Sequence, residues 1–214
     1  MTATVAPSPG RREARRESRR EAILDIARQS FLEHGYAATT MSGIAAQLGG
    51  SKGTLWSYFA SKQVLFEAVL ERATDEFRDE LSLILQRTGD VRAALLRFSR
   101  QFLRKLTQPD AIALFRLVVA EAGRFPEVGE IFYERGPGRT RMLLARYMAD
   151  AMADGSLRKG DPAVAALDLT GLCMSGCHLR LLVGASTGPE RGDLDRDAER
   201  ATDCFWRAWG HDGS

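Results

Sequence analysis

Residues 40–59, TMSGIAAQLGGSKGTLWSYF, gather hydroxyls, glycines, a lysine and two aromatic rims between two short apolar phrases. This is chemistry for contacting a polyanion rather than for making or breaking bonds. If Leu55 and Phe59 turn toward a core, a rotation of about 100° per residue sends Gly53, Thr54, Trp56 and Ser57 outward. The major groove of duplex DNA accepts a helix of this size. Gly53 permits close approach, and Thr54 and Ser57 can meet base edges. Lys52 reaches phosphate or guanine, while Tyr58 and Lys62 lie at the flank, where phosphates run. An ordinary helical hairpin would show the same periodicity.

Other groupings offer weaker chemistry. Cys173 and Cys177 can share a helix face, but His178 is turned away from them by about 100°. No second Cys/His pair completes a tetrahedral metal site, so no metal is expected and buried reduced thiols are the default reading. Gly184–Gly188 formally matches G-x-S-x-G. That elbow needs a preceding strand and a following acid and histidine, whereas here a helix precedes it and a Pro-Glu turn follows. With three histidines in the chain, no base–nucleophile pair and no phosphate loop, no enzyme activity and no cofactor are expected.

The elements that must position residues 40–59 read as helices. From Ala22, Ile23, Ala27 and Phe31 recur at helical spacing until Gly35 stops the run. Thr40 is placed to cap a helix from Met41 to Leu48, Gly49-Gly50 breaks it, and Ser51 is placed to cap Lys52 to Phe59. Ser61 precedes a long helix from Lys62 to Arg87. Further helices are predicted over Asp90–Leu106, Asp110–Glu121, Glu127–Asp154, Pro162–Val183 and Leu194–Trp209, with Pro137 placed to kink its segment. No alternating strand and no internal repeat is visible, so the predicted class is all-α.

Charge is unevenly distributed. The chain of 214 residues carries a formal +2, yet its first 62 residues hold nine Lys/Arg against five Asp/Glu. A basic end on a slightly acidic body suits attraction to phosphates, although a solvated helix face would look alike. An odd, low cysteine count argues against a disulfide-stapled secreted protein. The most apolar run, from Ala163 to Val183, contains Asp168, His178 and Arg180, which disfavours a membrane span. The expected location is the cytoplasm, without membrane partners.

The stretch from Arg20 to Leu70 resembles the N-terminal domain of the TetR family of transcriptional regulators. Its matching pieces are ILDIARQSFLEHGYAATTM, IAAQLG, SKGTLWSYFASK and LFEAV. The resemblance implies that Thr40 and Lys62 hold phosphates and that Lys52 to Tyr58 forms the recognition helix, with Ser51 at its start. Three residues depart from the family pattern. Gly50 replaces a small apolar residue, Trp56 replaces the usual tyrosine, and Gly43 sits inside the second helix at a cost of about 1 kcal/mol. Indole donates but cannot accept a hydrogen bond, so Trp56 changes the phosphate contact available there.

The stretches LFRLVVAEAGRFPEVGEIFYERGP and GSLRKGDPAVAALDLTGL are similar to the ligand-binding domain of one TetR subgroup. The organisation expected is a disordered basic tail over 1–15, a three-helix helix-turn-helix domain over 16–62, and a helical effector-binding and dimerisation domain over 63–214. The long helix from Lys62 joins the two as a lever. Candidates for the effector pocket are Phe98, Phe102, Phe115, Arg116, Phe132, Tyr147 and His178; the aromatic ones are equally readable as core. Candidates for the dimer interface are Leu169, Leu172, Gly176, Leu179, Phe205, Trp206 and Trp209, which packing within one subunit would also explain. The function implied is a homodimeric regulator, a repressor, that binds a palindromic double-stranded operator and is released by a small effector. The alternative is a constitutive or structural DNA-binding protein with no effector.

Overall fold

The computed structural model describes residues 10–49, 52–86 and 89–211, apart from the side chains of residues 11, 12, 52 and 76. Among these residues the chain is a succession of eleven helices. They are α1 (Arg11–Ala38), α2 (Met41–Gln47), α3 (Lys52–Tyr58), α4 (Lys62–Ile84), α5 (Val91–Leu106), α6 (Pro109–Glu121), α7 (Pro126–Arg135), α8 (Pro137–Ala153), α9 (Pro162–Met174), α10 (Cys177–Leu182) and α11 (Asp193–Trp209). The one β-type pairing described is an isolated antiparallel bridge between Leu157 and Gly210. The helices gather into two compact units that divide between Val69 and Leu70, inside α4.

Helix α1 begins at Arg11, earlier than a tail over 1–15 implies. Glu13 lies in its first turn, where a carboxylate opposes the positive helix end, and accepts the Gly10 N–H at 3.1 Å. Gly35 (φ 81°, ψ 171°) interrupts the helix where the sequence placed its end, and one more turn follows. Only glycine takes that φ without strain. The bend brings Tyr36 back onto Phe31, with ring centroids 5.8 Å apart, and Phe66 of α4 closes the triad edge-on at 5.1 and 5.3 Å. Ile23, Leu24, Ile44, Leu55 and Leu65 complete this core. Leu65, Phe66 and Val69 are all buried, so the first turns of α4 belong to the N-terminal unit and the unit boundary falls beyond residue 62.

The C-terminal unit buries Phe77, Leu81, Leu95, Phe98, Phe102, Leu144, Tyr147, Met148, Leu169 and Phe205 in one cluster. Two predicted long helices are each divided in two. Gly136 (φ −112°, ψ −99°) turns the chain between α7 and α8, and Pro137 starts α8 where its missing N–H costs nothing. The segment 162–183 breaks between α9 and α10 at Gly176 (φ −102°, ψ −125°). A Cβ on Gly176 would fall on the Asp197 carboxylate of α11. That carboxylate instead accepts the Cys177 N–H at 2.6 Å and caps α10.

Candidate nucleic-acid interface

Helix α2 is started by its cap: the Thr40 hydroxyl oxygen accepts the Gly43 N–H at 3.0 Å. A Cβ at Gly43 would stand 3.2 Å from that oxygen, so the absent side chain leaves room for the cap. Ile44 and Ala45 face inward, while Thr40, Ser42, Ala46 and Gln47 are exposed. Leu55 in α3 is 1% and Phe59, just past its end, 3% exposed, the inward pair the spacing required. Gly53, Trp56 and Ser57 are exposed and Thr54 and Tyr58 half-buried. The outward face is therefore small and polar around one aromatic ring, Trp56, at 43% exposure. Ser51 lies outside the described residues, as does the side chain of Lys52.

The hydroxyl of Ser57 donates to the Thr54 carbonyl at 2.7 Å. Its proton is thereby directed back into the helix, and its oxygen is presented outward as an acceptor. An acceptor there matches the exocyclic amines of adenine or cytosine in the major groove. Lys62 is half-buried. Its ammonium donates to the Tyr36 carbonyl at 2.8 Å and stands 4.2 Å from the centre of the Tyr36 ring. The charge is thus anchored at the bend of α1 rather than swinging on a free stem.

Sequence reasoning did not assign the arginines of α1 to this site. Arg16 lies over the Tyr58 ring at 5.9 Å and Arg20 over Phe59 at 5.8 Å. Arg19 donates to the Leu48 carbonyl, at the end of α2, at 3.4 Å. Arg20 also pairs with Glu17 and Glu21. These arginines tie α1 to the end of α2 and to the end of α3. The i, i+4 spacing of Arg16 and Arg20 was the available signal, and it was legible as a solvated helix face or as a contact to phosphate or minor groove, not as a brace on the helix-turn-helix.

The other candidates separate into three groups. Phe98, Phe102 and Tyr147 lie in the main C-terminal core, with the two phenylalanine rings stacked at 5.5 Å. Phe115 of α6, Phe132 of α7 and His178 of α10 form a second cluster. Phe115 meets Phe132 edge-on at 5.6 Å and His178 edge-on at 6.1 Å. Arg116 is exposed and ties down the end of α10, donating to Leu181 and Leu182 carbonyls at 2.6 and 2.9 Å. His178 is 2% exposed. Burial lowers its pKa below the ordinary 6.5, and the Met174 carbonyl one turn back opposes this only in part. The imidazole is neutral at pH 7.

The interface candidates need correction. Leu169 and Phe205 are fully enclosed in the subunit's own core and are not available to a partner. Trp209 donates its indole N–H to Asp168 at 3.0 Å and lies against Gly160, and Trp206 packs on Gly210. Of the candidates, Leu179 is exposed at 51%, and nearby in the chain Val164, Leu167 and Val183 are exposed at 45, 48 and 69%. Leu172 and Gly176 are half-buried. Helix α9 is apolar on almost every side, so periodicity could not choose its outward face.

The two buried thiols, Cys173 and Cys177, suit no reactive role. Burial pushes Cys173 up to about 11, and burial together with Asp197 pushes Cys177 to about 12. Cys204 is exposed. Among the described residues no cluster of His, Cys, Asp and Glu could hold a metal ion, and no helix is long and apolar enough to cross a membrane.

Comparison with known proteins carries the assignment further. Residues 23–69 match the family described as "Bacterial regulatory proteins, tetR family", and residues 93–211 match "AefR-like transcriptional repressor, C-terminal domain". The regulator UidR of Escherichia coli K12 is 27% identical over 186 residues, covering 85% of this chain and 87% of UidR. The solved structure of "Flavonoid-responsive Regulator FrrA" is 30% identical with a TM-score of 0.76, covering 92% of this chain and all of that one. That of the "SmeT-Triclosan complex" is 28% identical with a TM-score of 0.67, covering 92% and 93%. An outward-facing α3 on a sealed three-helix core and matches over both units lead to one conclusion. The chain belongs to the TetR family of DNA-binding transcriptional regulators, a class that is not enzymatic, and carries an AefR-like C-terminal domain.

Proposed function

We propose that the protein is a homodimeric cytoplasmic repressor that binds a near-palindromic operator and is released by a small-molecule effector. The observation that carries the DNA half is the α3 face: Gly53, Trp56 and Ser57 turned outward from a helix whose Leu55 and Phe59 are sealed inside. Two such helices, related by a two-fold axis, would enter major grooves one turn or a multiple apart, so the half-sites mirror each other. Thr40 and Lys62 hold phosphates on either side. Gly53 lets the helix approach closely, Thr54 and Ser57 read base edges and Lys52 reaches phosphate or guanine, with Ser51, Trp56 and Tyr58 at the margins of the contact.

The dimer reading is supported by the exposed apolar residues Val164, Leu167, Leu179 and Val183 of the α9–α10 segment, which a second copy would cover. The effector reading is supported by the Phe115–Phe132–His178 cluster and by the ligands in the names of FrrA and SmeT. Within the C-terminal unit, Glu71 of α4 pairs with Arg135 at 3.2 Å and Arg139 at 3.3 Å, and Thr74 donates to the Arg135 carbonyl at 3.2 Å. The junction of α7, which carries Phe132, is thereby tied to the helix that continues into the N-terminal unit. An effector acts only if it prefers one arrangement of that junction over the other.

The test is a Leu167→Glu, Val183→Glu variant. Sedimentation should find it monomeric, and its affinity for a palindromic site should fall at least 100-fold. Unchanged dimerisation, or unchanged operator affinity as a monomer, would overturn the dimeric reading.

A further inference from the structure

The first turns of α1 have no share in a core. Residues 13–18 are exposed and residues 19–22 half-buried, and the first fully buried side chain is that of Ile23. From Arg11 to Ala22 this is about 18 Å of helix. A helix polar on every side either carries its own ion pairs or meets something else. The carboxylates here are used in two places. Glu13 accepts the Gly10 N–H, and Glu17 and Glu21 both lie beside Arg20.

The charges are sorted around the helix. At about 100° per residue, Arg15, Arg16 and Arg19 fall within an arc of about 100°, and Glu13, Glu17 and Glu21 within about 80° on the far side. The basic side is the one that meets the helix-turn-helix. Arg16 lies over the Tyr58 ring at 5.9 Å, and Arg19 donates to the Leu48 carbonyl at 3.4 Å. It therefore adjoins Tyr58, next in the chain to the exposed Trp56 and Ser57. A shallow hollow of about 420 Å³ runs along it, lined by Ala14, Arg15, Ser18, Arg19 and Ala22. The small side chains there leave room for a bulky ridge to come up to the guanidinium groups.

We propose that the Arg15–Arg16–Arg19 face of α1 is a second DNA contact, and that it holds backbone phosphates beside the groove that α3 enters. This rests on the reading of α3 as the element in the major groove. A guanidinium has five N–H donors, so one bond to a carbonyl leaves others for a phosphate. It can meet that phosphate with two parallel bonds. The contact is with the ridge rather than with bases. A helix is about 10–12 Å across and the minor groove about 6 Å wide, so α1 cannot enter that groove. Its arginines add affinity for duplex DNA without adding sequence preference.

The experiment uses the full chain and the operator recovered by site selection. Phosphate-ethylation interference and the salt dependence of operator affinity are measured for the unaltered chain and for Arg15→Ala, Arg19→Ala. Ethylation of a phosphate or two beside each half-site should block the unaltered chain and leave the variant indifferent. The phosphates assigned to Thr40 and Lys62 should stay sensitive in both. The variant should bind about tenfold more weakly at physiological salt, with a salt slope lower by about two units. Arg15→Lys, Arg19→Lys keeps both charges and should restore the slope, and thermal unfolding verifies that both variants fold. An unchanged interference pattern and slope in the alanine variant would overturn the proposal and leave a solvated face. A slope that the lysine pair fails to restore would assign the loss to the Leu48 contact and overturn it equally. Altered base preference beside the half-sites, without altered phosphate sensitivity, would replace it with minor-groove reading. In each of these cases the unaltered chain still binds its operator. Selection of no operator by the unaltered chain would instead sink the α3 reading, and this proposal with it.

Discussion

The two units use their aromatic side chains in opposite ways. In the N-terminal unit, Phe31, Tyr36 and Phe66 form a closed triad, each no more than 3% exposed. In the C-terminal unit, Phe115 and Phe132 are half-buried, and Phe115 meets a buried imidazole edge-on. A sealed triad makes a stiff mount for α3, because close-packed interiors do not deform by small amounts. An incompletely closed cluster can change its packing when a ligand arrives. The contrast separates the part that must hold geometry from the part that must respond.

The largest expected effect breaks this contrast if it fails. Phe66→Ala should cost about 3–5 kcal/mol of stability, as for a fully buried ring. Phe115→Ala should cost less than about 2 kcal/mol, because part of its surface is already exposed. Denaturant unfolding of the two variants decides the matter; equal losses would mean the second cluster is as tightly packed as the first.

Next comes the break between α9 and α10. Gly176→Ala drives a methyl into the Asp197 carboxylate, and overpacking of this kind costs about 1–3 kcal/mol. In an Asp197→Ala background the same substitution should cost much less. A double-mutant cycle with no coupling between the two sites would show that Asp197 does not shape the break.

At the DNA face the effects differ in kind. Ser57→Ala should change the base preferred at one position, by about 1–3 kcal/mol of discrimination. Lys62→Ala should weaken all sequences alike and reduce the salt slope by about one unit. Competition binding against single-base variants at two salt concentrations separates them. Uniform loss from both would mean that Ser57 reads no base.

The smallest effect concerns pH. Burial holds the His178 pKa below 6.5, so the unfolded chain takes up this proton more readily than the native one. Native stability should therefore fall as pH drops below about 6.5. His178→Gln should flatten that part of the stability curve. An unaltered curve between pH 7.5 and 5.5 would mean the imidazole is not desolvated.

The DNA-facing unit was the more legible of the two. Thr40 at a cap, Leu55 and Phe59 inward, and Gly35 at a stop are local properties of spacing and backbone, and they can be read one helix at a time. The C-terminal unit resisted because its decisive contacts join distant segments. Gly176 breaks a helix on account of Asp197, twenty-one residues later. Leu169 is core and Leu167 surface on a helix that is apolar nearly all round. Trp206 and Trp209 suggested an open aromatic patch, but Gly210 and Gly160 receive them within the subunit. The contacts of Arg16, Arg19 and Arg20 with Tyr58, Leu48 and Phe59 were likewise hidden, because those partners lie about thirty to forty residues on.

The most direct test of the central claim is selection of bound sites from random duplex DNA at physiological salt. A Ser57→Glu variant, which places a negative charge on the outward face of α3, serves as the control. The account predicts enrichment of one near-palindromic sequence, with half-sites a helical turn or a multiple apart, and its loss in the variant. No enriched sequence, or the same sequence recovered with Ser57→Glu, would contradict the assignment of α3 as the element that reads DNA.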